Sequence, residues 1–183
     1  SVALTLPFKG DVSDLQLDAM AGQIAATQPD MVFNHGSAGA YARLIAKARK
    51  TRIKTTFMAV NSGSTQLAAD LGPLAHGMVF AQVVPSPWER KHAISREFQE
   101  AMAKSRPGVA LSYGGLEGFL TAKALVMALQ ATGKNLTRPS FVNALEHSNY
   151  DLGGMTVRYS NQSHDGSRFV DLSMYSRDDR FIH

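Results

Sequence analysis

A strand that leaves its sheet through a rigid segment is visible in residues 78–88, which read Met78-Val-Phe-Ala-Gln-Val-Val-Pro-Ser-Pro-Trp88. The apolar and β-branched residues at its start are typical of a strand. Pro85 and Pro87 each fix φ and lack a backbone donor, so the chain is expected to leave the sheet here in an extended conformation. This pattern is typical of a crossover between two lobes. We therefore predict a hinge at Val84, Pro85 and Pro87.

The composition is that of a globular chain. Its 183 residues, of which 44% are hydrophobic, suffice for one ordinary domain or two small half-domains. The apolar runs are far shorter than the roughly 20 residues of a membrane helix, and no leader pattern is present, so we expect neither a membrane span nor an export signal in the chain as given. The absence of cysteine is compatible with an oxidising compartment such as the periplasm. The net charge of +4 comes without a basic block, which argues against a nucleic-acid partner.

The residues before this segment alternate between strand and helix patterns. Val2–Phe8 reads as a short strand, and Ser13 begins a capping-box pattern for a helix that reaches about Ala26. Met31–Phe33 is a second short apolar strand. An amphipathic helix separates it from the β-branched strand Lys54–Val60. Two consecutive βαβ units predict a parallel sheet with right-handed crossovers.

The residues after the segment are mainly helical. Apolar side chains at helical spacing predict helices over Glu89–Lys104 and Leu116–Ala131, and Thr137 is expected to cap a third. The sequence between these helices contains no strand pattern, so they have no sheet of their own to pack against. Two strands are predicted near the end, Met155–Tyr159 and Arg168–Tyr175.

Several motifs in this order resemble the type I periplasmic solute-binding proteins of ABC importers, in the leucine/isoleucine/valine-binding branch. They are Gln28-Pro-Asp-Met-Val-Phe33, the segment 77–88, Leu116-Glu-Gly-Phe119, Asp151-Leu-Gly-Gly154 and Ser163-His-Asp-Gly-Ser167. The resemblance runs along essentially the whole chain and matches the C-terminal half of the family.

The resemblance implies an α/β fold of two hinged lobes, each a three-layer parallel-sheet unit, with the family's N-terminal portion missing here. It implies a second-lobe α/β segment over residues 1–82 and a helical part of the first lobe over 83–152. A return crossing and the final strands of the second lobe are expected over 153–183. A partial lobe exposes apolar surface, which predicts a homodimer or association with the missing N-terminal fragment. No cofactor is expected.

Candidate ligand contacts follow the predicted strands, because ligands of parallel sheets bind at the carboxyl ends of the strands. His35, Gly36, Ser37 and Ala38 come after the strand at 31–33 and open a helix, so their backbone N–H groups and the Ser37 hydroxyl are candidates for a carboxylate or carbonyl ligand. The alternative is that Gly36 and Ser37 only form the turn and cap the helix. The resemblance favours binding, since the family's second-lobe contacts fall at Ser37.

Asn61 and Ser62 follow the next strand. In the family this loop provides a polar or acidic side chain for the ligand amine, and the corresponding position here is Asn61. A neutral amide suits an amide, a keto acid or a hydroxylated ligand as well as an amino acid. An Asx turn is the structural alternative.

Catalytic and metal chemistry find little support in the sequence. His35 has no second ligand at metal spacing, and Ser163-His164-Asp165 are adjacent residues, whereas triads are assembled from distant segments. We therefore predict no enzymatic activity, no catalytic residue and no metal site. The expected function is that of an extracytoplasmic solute-binding component of an ABC importer, located in the periplasm, with a small amino-acid-like or carboxylate/amide ligand and an ABC permease as partners. The alternative is a ligand-sensing domain of a receptor or regulator with the same fold.

Overall fold

The computed structural model of the chain describes residues 1–51, 53–60 and 63–183. The helices are α1 Asp14–Thr27, α2 Ala38–Lys50, α3 Ser64–Leu71, a 3₁₀ helix Gly72–Ala75, α4 Ala93–Ser105, α5 Tyr113–Thr132 and α6 Arg138–His147. The strands are β1 Met31–Asn34, β2 Thr56–Val60, β3 Val79–Gln82, β4 Asn149–Asp151, β5 Thr156–Arg158, β6 Asp171–Tyr175 and β7 Phe181–Ile182. None of the helices in the described part of the chain has the length and apolarity that crossing a bilayer requires.

The chain divides into two compact units. Unit 1 comprises residues 1–82 and 171–183, and unit 2 comprises residues 83–170. The chain leaves unit 1 after Gln82, directly before the Pro-x-Pro segment, and returns to it at Asp171. The hairpin of β4 and β5 therefore lies in unit 2.

Unit 1 is built on a mixed five-stranded sheet in the order β1-β2-β3-β6-β7. The first three strands are parallel, with Val32 opposite Phe57 and Ala59 opposite Phe80. This confirms the parallel-dominated α/β sheet that the βαβ pattern predicted. The strands β6 and β7 are added antiparallel at the other edge.

Helices cover one face of this sheet. Alternate strand residues such as Phe57 and Phe80 are fully buried and form one core with apolar residues of α1, α2 and α3. The predicted capping box begins α1, where the Ser13 hydroxyl accepts from the Gln16 N–H at 3.3 Å and the Gln16 side chain accepts from the Ser13 N–H at 3.0 Å.

The opposite face of the sheet carries apolar residues that remain accessible. One row crosses all five strands through neighbouring register positions: Phe33, Met58, Val79, Met174 and Ile182. Phe33 is 56% exposed, and Leu172 in the next row is 54% exposed. We call the face defined by these six residues the open sheet face.

Two strand predictions differ from the structure. Residues 2–8 are not part of a strand, and Leu6 and Phe8 pack on the core of unit 1 instead. A strand requires a hydrogen-bonded neighbour, and an apolar pattern alone does not provide one. The last long strand begins at Asp171 instead of Arg168 because its pairing starts opposite Gln82.

Unit 2 contains α4, α5, α6 and the β4–β5 hairpin. The predicted cap of α6 is present, with the Thr137 hydroxyl accepting from the Ser140 N–H at 3.3 Å. In the turn after β4, a carboxylate oxygen of Asp151 accepts from the N–H groups of Gly153 at 2.9 Å and Gly154 at 3.2 Å. The Lys123 ammonium on α5 donates to the Leu152 carbonyl at 3.1 Å and holds the same turn from the other side.

The Asp151 turn makes the stability of unit 2 sensitive to acid. The hydrogen bonds from the Gly153 and Gly154 N–H groups lower the pKa of Asp151 below its ordinary 3.8. A lowered folded-state pKa contributes stability that is present above 3.8 and is lost as the pH falls through the folded value. We expect Asp151→Asn, which keeps an oxygen acceptor but cannot titrate, to flatten the acid branch of stability against pH.

This expectation is checked by urea denaturation from about pH 6 to about pH 3, followed through the fluorescence of Trp88, the single tryptophan, which lies in unit 2. The wild-type midpoint should fall more steeply than that of the Asn variant. Parallel curves would show that Asp151 is not the group responsible.

Candidate functional site

The carboxyl ends of β1 and β2 lie at one edge of the unit 1 sheet, where two helices begin. After β1, the chain turns at Gly36, whose Cβ position would lie 3.4 Å from the Asn34 side-chain oxygen and 3.5 Å from the Phe8 ring. A side chain at position 36 would therefore meet two others at ordinary contact distance. His35, Gly36 and Ser37 are exposed and Ala38 is partly buried, so all four predicted residues on this loop are near solvent.

Ser37 caps α2. Its hydroxyl accepts from the Ala40 N–H at 3.5 Å, which is the structural alternative considered for this residue. The distance is long for a cap, and the remaining N–H groups of the first helical turn have no acceptor within the helix. The positive end of the α2 dipole thus faces the exposed side of the loop. Capping and ligand contact are compatible at this residue.

The N-terminus of α3 meets the N-terminus of α2. Gly63, the N-cap of α3, has a φ of 70°, a left-handed conformation that glycine adopts readily. A Cβ at Gly63 would lie 3.7 Å from the Cβ of Ala38, so the two helix starts are in contact. The predicted site residues Asn61 and Ser62 lie outside the described residues.

A buried polar cluster that was not predicted from the sequence lies beside these helix starts. Gln82, at the end of β3, is fully buried; its side-chain N–H donates to the Ser173 hydroxyl at 2.9 Å, and its oxygen accepts from the Ser64 hydroxyl at 3.5 Å. Asn34 at the end of β1 is also buried. A glutamine within an otherwise apolar strand was the available signal, because buried polar side chains require partners.

Tyr41 fixes α2 against the strands that carry the loops. Its buried hydroxyl lies 3.1 Å from the Val32 carbonyl and 3.0 Å from the Met58 carbonyl. Burial raises the pKa of this hydroxyl above its ordinary 10.0, so it remains a donor at all physiological pH values. The start of α2 is thereby held at a fixed height above β1 and β2.

The predicted hinge residues directly follow unit 1. Val84, Pro85 and Pro87 are all buried within unit 2, although the intervening chain is not helical or paired in a strand. The Ser86 carbonyl accepts from the hydroxyl of Ser95 on α4 at 2.9 Å. The segment is therefore anchored at its unit 2 end.

Unit 2 also contains an apolar pocket of about 580 Å³ that is open to solvent. It lies between α5, α6 and the β4–β5 region, and its walls include Leu120, Phe141, Leu145, Met155 and Val157. Of the predicted ligand-binding residues that the structure describes, His35 to Ala38, none lines it. Its walls include residues of α5 and α6, two of the helices for which the sequence predicts no sheet to cover.

Within the part of the chain that the structure describes, the side chains considered for catalysis and metal binding make other contacts. In the Ser163-His164-Asp165 stretch, the His164 imidazole lies 3.3 Å from the Glu146 carboxylate, and the Ser163 hydroxyl accepts from the Asp165 backbone N–H at 3.3 Å. These contacts differ from those of a catalytic triad. Among the residues the structure describes, no group of three or more His, Asp or Glu side chains could hold a metal ion.

Comparison with known proteins places the chain in a family. The family model described as periplasmic binding protein matches residues 7–176, which is nearly the whole chain. The chain belongs to the periplasmic binding protein family. This family consists of binding proteins, in agreement with the expectation of a non-enzymatic chain, and it accounts for the α/β fold of type I periplasmic binding proteins.

Three solved structures illustrate the match. An extracellular ligand-binding receptor from Verminephrobacter eiseniae is 27% identical with a TM-score of 0.82 over 93% of this chain and 49% of its own. A substrate-binding periplasmic protein from Ralstonia solanacearum is 26% identical, with a TM-score of 0.80 over 90% and 48%. A protein described as a possible leucine/isoleucine/valine-binding protein from Rhodopirellula baltica is 28% identical, with a TM-score of 0.78 over 87% and 46%.

The chain thus spans about half the length of the solved structures it matches. Among curated proteins there is no match.

Proposed function

We propose that the chain is part of an extracytoplasmic solute-binding component of an ABC importer, acting in the periplasm together with a membrane permease. The observation that carries the proposal is the contact between the N-termini of α2 and α3 at the carboxyl ends of two parallel strands. Ligands of open α/β sheets bind at such an edge, and two helix N-termini favour a negatively charged or carbonyl group. Membership of the periplasmic binding protein family supports the same role.

The proposed ligand is a small amino acid or a related carboxylate or amide. Its carboxylate or carbonyl lies against Ser37 and the N–H groups of residues 36–38, and Asn61 and Ser62 contact its other polar end. The fold alone does not select the ligand. A Thermus thermophilus protein of this fold, 19% identical, was solved with bound valine, and a Thermomonospora curvata protein, 22% identical, is described as a fatty acid ABC transporter substrate-binding protein.

The proposed mechanism is ligand-stabilised closure about Val84, Pro85 and Pro87. A ligand that contacts both lobes only in the closed state shifts the equilibrium by its difference in affinity for the two states. The Pro-x-Pro segment restricts the backbone to few conformations, which limits the paths that a closing motion can take.

A thermal-shift screen of the chain tests the proposal against amino acids, keto acids and amides. A ligand present at about 100 times its Kd should raise the Tm by about 5–10 °C, because it stabilises the folded chain by about 2.7 kcal/mol. If no compound of these classes raises the Tm, the proposed function is wrong.

Ser37→Asp separates ligand binding from folding. Aspartate is as good an N-cap as serine, so the Tm without ligand should change little. Its carboxylate repels a carboxylate ligand, so we expect the ligand-induced shift to disappear for acids and to persist for neutral amides. The matched control is Ser112→Asp at the N-cap of α5 in unit 2, where the Ser112 hydroxyl accepts from the Gly115 N–H at 3.0 Å. Equal loss in both variants would contradict a ligand contact at Ser37.

A second candidate function is a ligand-sensing domain of a receptor or regulator. It is favoured by one observation, the description of the Verminephrobacter eiseniae structure as a ligand-binding receptor. The two roles share the ligand site. They differ in the partner that responds to the closed state, which is a membrane permease for the importer and a signalling domain for the sensor. A full reading frame that carries a signalling domain would favour the sensor, and neighbouring permease genes would favour the importer.

We further propose that the open sheet face is buried against another polypeptide, a second copy of the chain. The row from Phe33 to Ile182 contains no charged residue. An uncharged apolar face can therefore meet its own copy about a two-fold axis without like-charge repulsion. A separate N-terminal fragment of the same protein is the other partner considered, and intact mass would detect it in purified material.

A further inference from the structure

Three polar side chains are buried together at the carboxyl edge of the unit 1 sheet. Gln82 is 0% exposed, and Ser64 and Ser173 are each 1% exposed. The Gln82 amide donates to the Ser173 hydroxyl at 2.9 Å, and its oxygen accepts from the Ser64 hydroxyl at 3.5 Å. Both ends of one amide are therefore used, one toward β6 and one toward α3.

The chain positions of these residues connect three parts of the molecule. Gln82 is the last residue of β3 and the last of unit 1 before the chain leaves it. Ser173 lies in β6, the strand by which the chain returns. Ser64 is the first residue of α3, directly after Gly63, which contacts the start of α2.

Packing alone does not require a polar group here. Phe57, Phe80 and Tyr175 on the same covered face are apolar or aromatic and belong to the hydrophobic core, whereas Asn34 at the end of β1 is a second buried amide. A buried amide gains little net stability from its hydrogen bonds and is costly when it loses a partner. Its advantage over leucine or methionine is directional: it holds two particular neighbours at fixed distances.

We propose that Gln82 is a positioning residue that ties the start of α3 to both strands through which the chain crosses between its units. The proposal rests on the proposed function, since the start of α3 belongs to the ligand edge. A shift of the α3 N-terminus on ligand contact moves Ser64, and Gln82 transmits the shift to β3 and, through Ser173, to β6. The effect is reciprocal, so a change at Ser173 alters the order of α3.

Hydrogen exchange on the whole chain without ligand tests this coupling. The readout is the Leu67 N–H, which donates to the Gly63 carbonyl at 2.8 Å in the first turn of α3. In Ser173→Ala, Gln82 loses a partner, and we expect the exchange of the Leu67 and Ala68 amides, the first that the α3 ladder protects, to rise about fivefold or more. Ser173→Thr keeps a hydroxyl and should restore the wild-type rate.

The matched control removes a buried hydroxyl at the opposite edge of the same sheet. The Thr55 hydroxyl donates to the Pro29 carbonyl at 2.7 Å, and Thr55 is 4% exposed. In Thr55→Val, the Leu67 and Ala68 amides should exchange no faster, relative to the other amides of unit 1, than they do in the wild type. Ser64→Ala probes the reverse direction, with faster exchange expected in β6.

The proposal is overturned if Ser173→Ala leaves the exchange rates of the Leu67 and Ala68 amides unchanged. It is also overturned if Ser173→Ala raises the exchange of all unit 1 amides by one common factor, the same factor as in Thr55→Val. The same holds if Ser173→Thr fails to restore protection. Because the experiment contains no ligand, its outcome is independent of the thermal-shift screen. A failed screen together with coupled exchange would reject the proposed ligand and retain the role of Gln82.

Discussion

Replacing Gly153 by alanine is expected to lower the free energy of unfolding of unit 2 by about 3 kcal/mol. Gly153 has a φ of 101°, a conformation that L side chains rarely adopt. A Cβ there would lie 3.0 Å from the backbone nitrogen of Ile94 and 3.3 Å from the Cβ of Ala93. The first turn of α4 cannot easily withdraw, because the Ile94 N–H donates to the Gly153 carbonyl at 3.0 Å.

The matched control for this prediction is Gly108→Ala. Gly108 also has a positive φ, 84°, and also lies in unit 2, but nothing lies within 4 Å of its Cβ position. It should cost only the backbone strain, about 1–2 kcal/mol. Urea denaturation followed by Trp88 fluorescence measures both variants. If the two substitutions cost the same, the close approach of Gly153 to α4 contributes nothing.

The parts of the fold that the sequence predicts well are those specified by local chemistry. Ser13 and Thr137 cap helices through two short-range hydrogen bonds. The cap hydroxyl accepts from the backbone N–H three residues later, and the side chain of that later residue accepts from the N–H of the cap residue. The strands β1 and β2 follow from apolar runs separated by an amphipathic helix. In each case the partners lie within a few residues or one βαβ unit of each other, so their pattern is visible in a short window.

The parts that it predicts poorly depend on partners far along the chain. Residues 2–8 have the composition of a strand, but pairing decides whether a strand forms. The role of Gln82 depends on Ser173, 91 residues away, and no periodicity reveals that pair. For the candidate site, the sequence located the loop at 35–38, and only the structure shows that Ala38 meets Gly63.

Substituting lysine at two positions of the open sheet face is expected to convert a self-associating chain into a monomer. At micromolar concentration the wild-type chain should sediment as a species larger than its 19.8 kDa. In Phe33→Lys/Leu172→Lys, each copy loses two exposed apolar side chains whose burial contributes about 1.5–3 kcal/mol apiece. A two-fold dimer contains both substitutions twice, so we expect the dimer Kd to rise at least about 100-fold.

The matched control for the lysine pair is Leu15→Lys. Leu15 is a leucine on α1, 80% exposed and outside the open sheet face, so its replacement adds one lysine, half the charge of the pair, away from the proposed contact. It should leave sedimentation unchanged. All three replaced residues are already exposed, so urea midpoints should stay close to wild type, which separates lost association from lost folding. Equal association of wild type and the lysine pair would mean that this face is not where two copies meet. A co-purifying N-terminal fragment, detected by intact mass and lost in the lysine pair, would show that such a fragment covers the face instead.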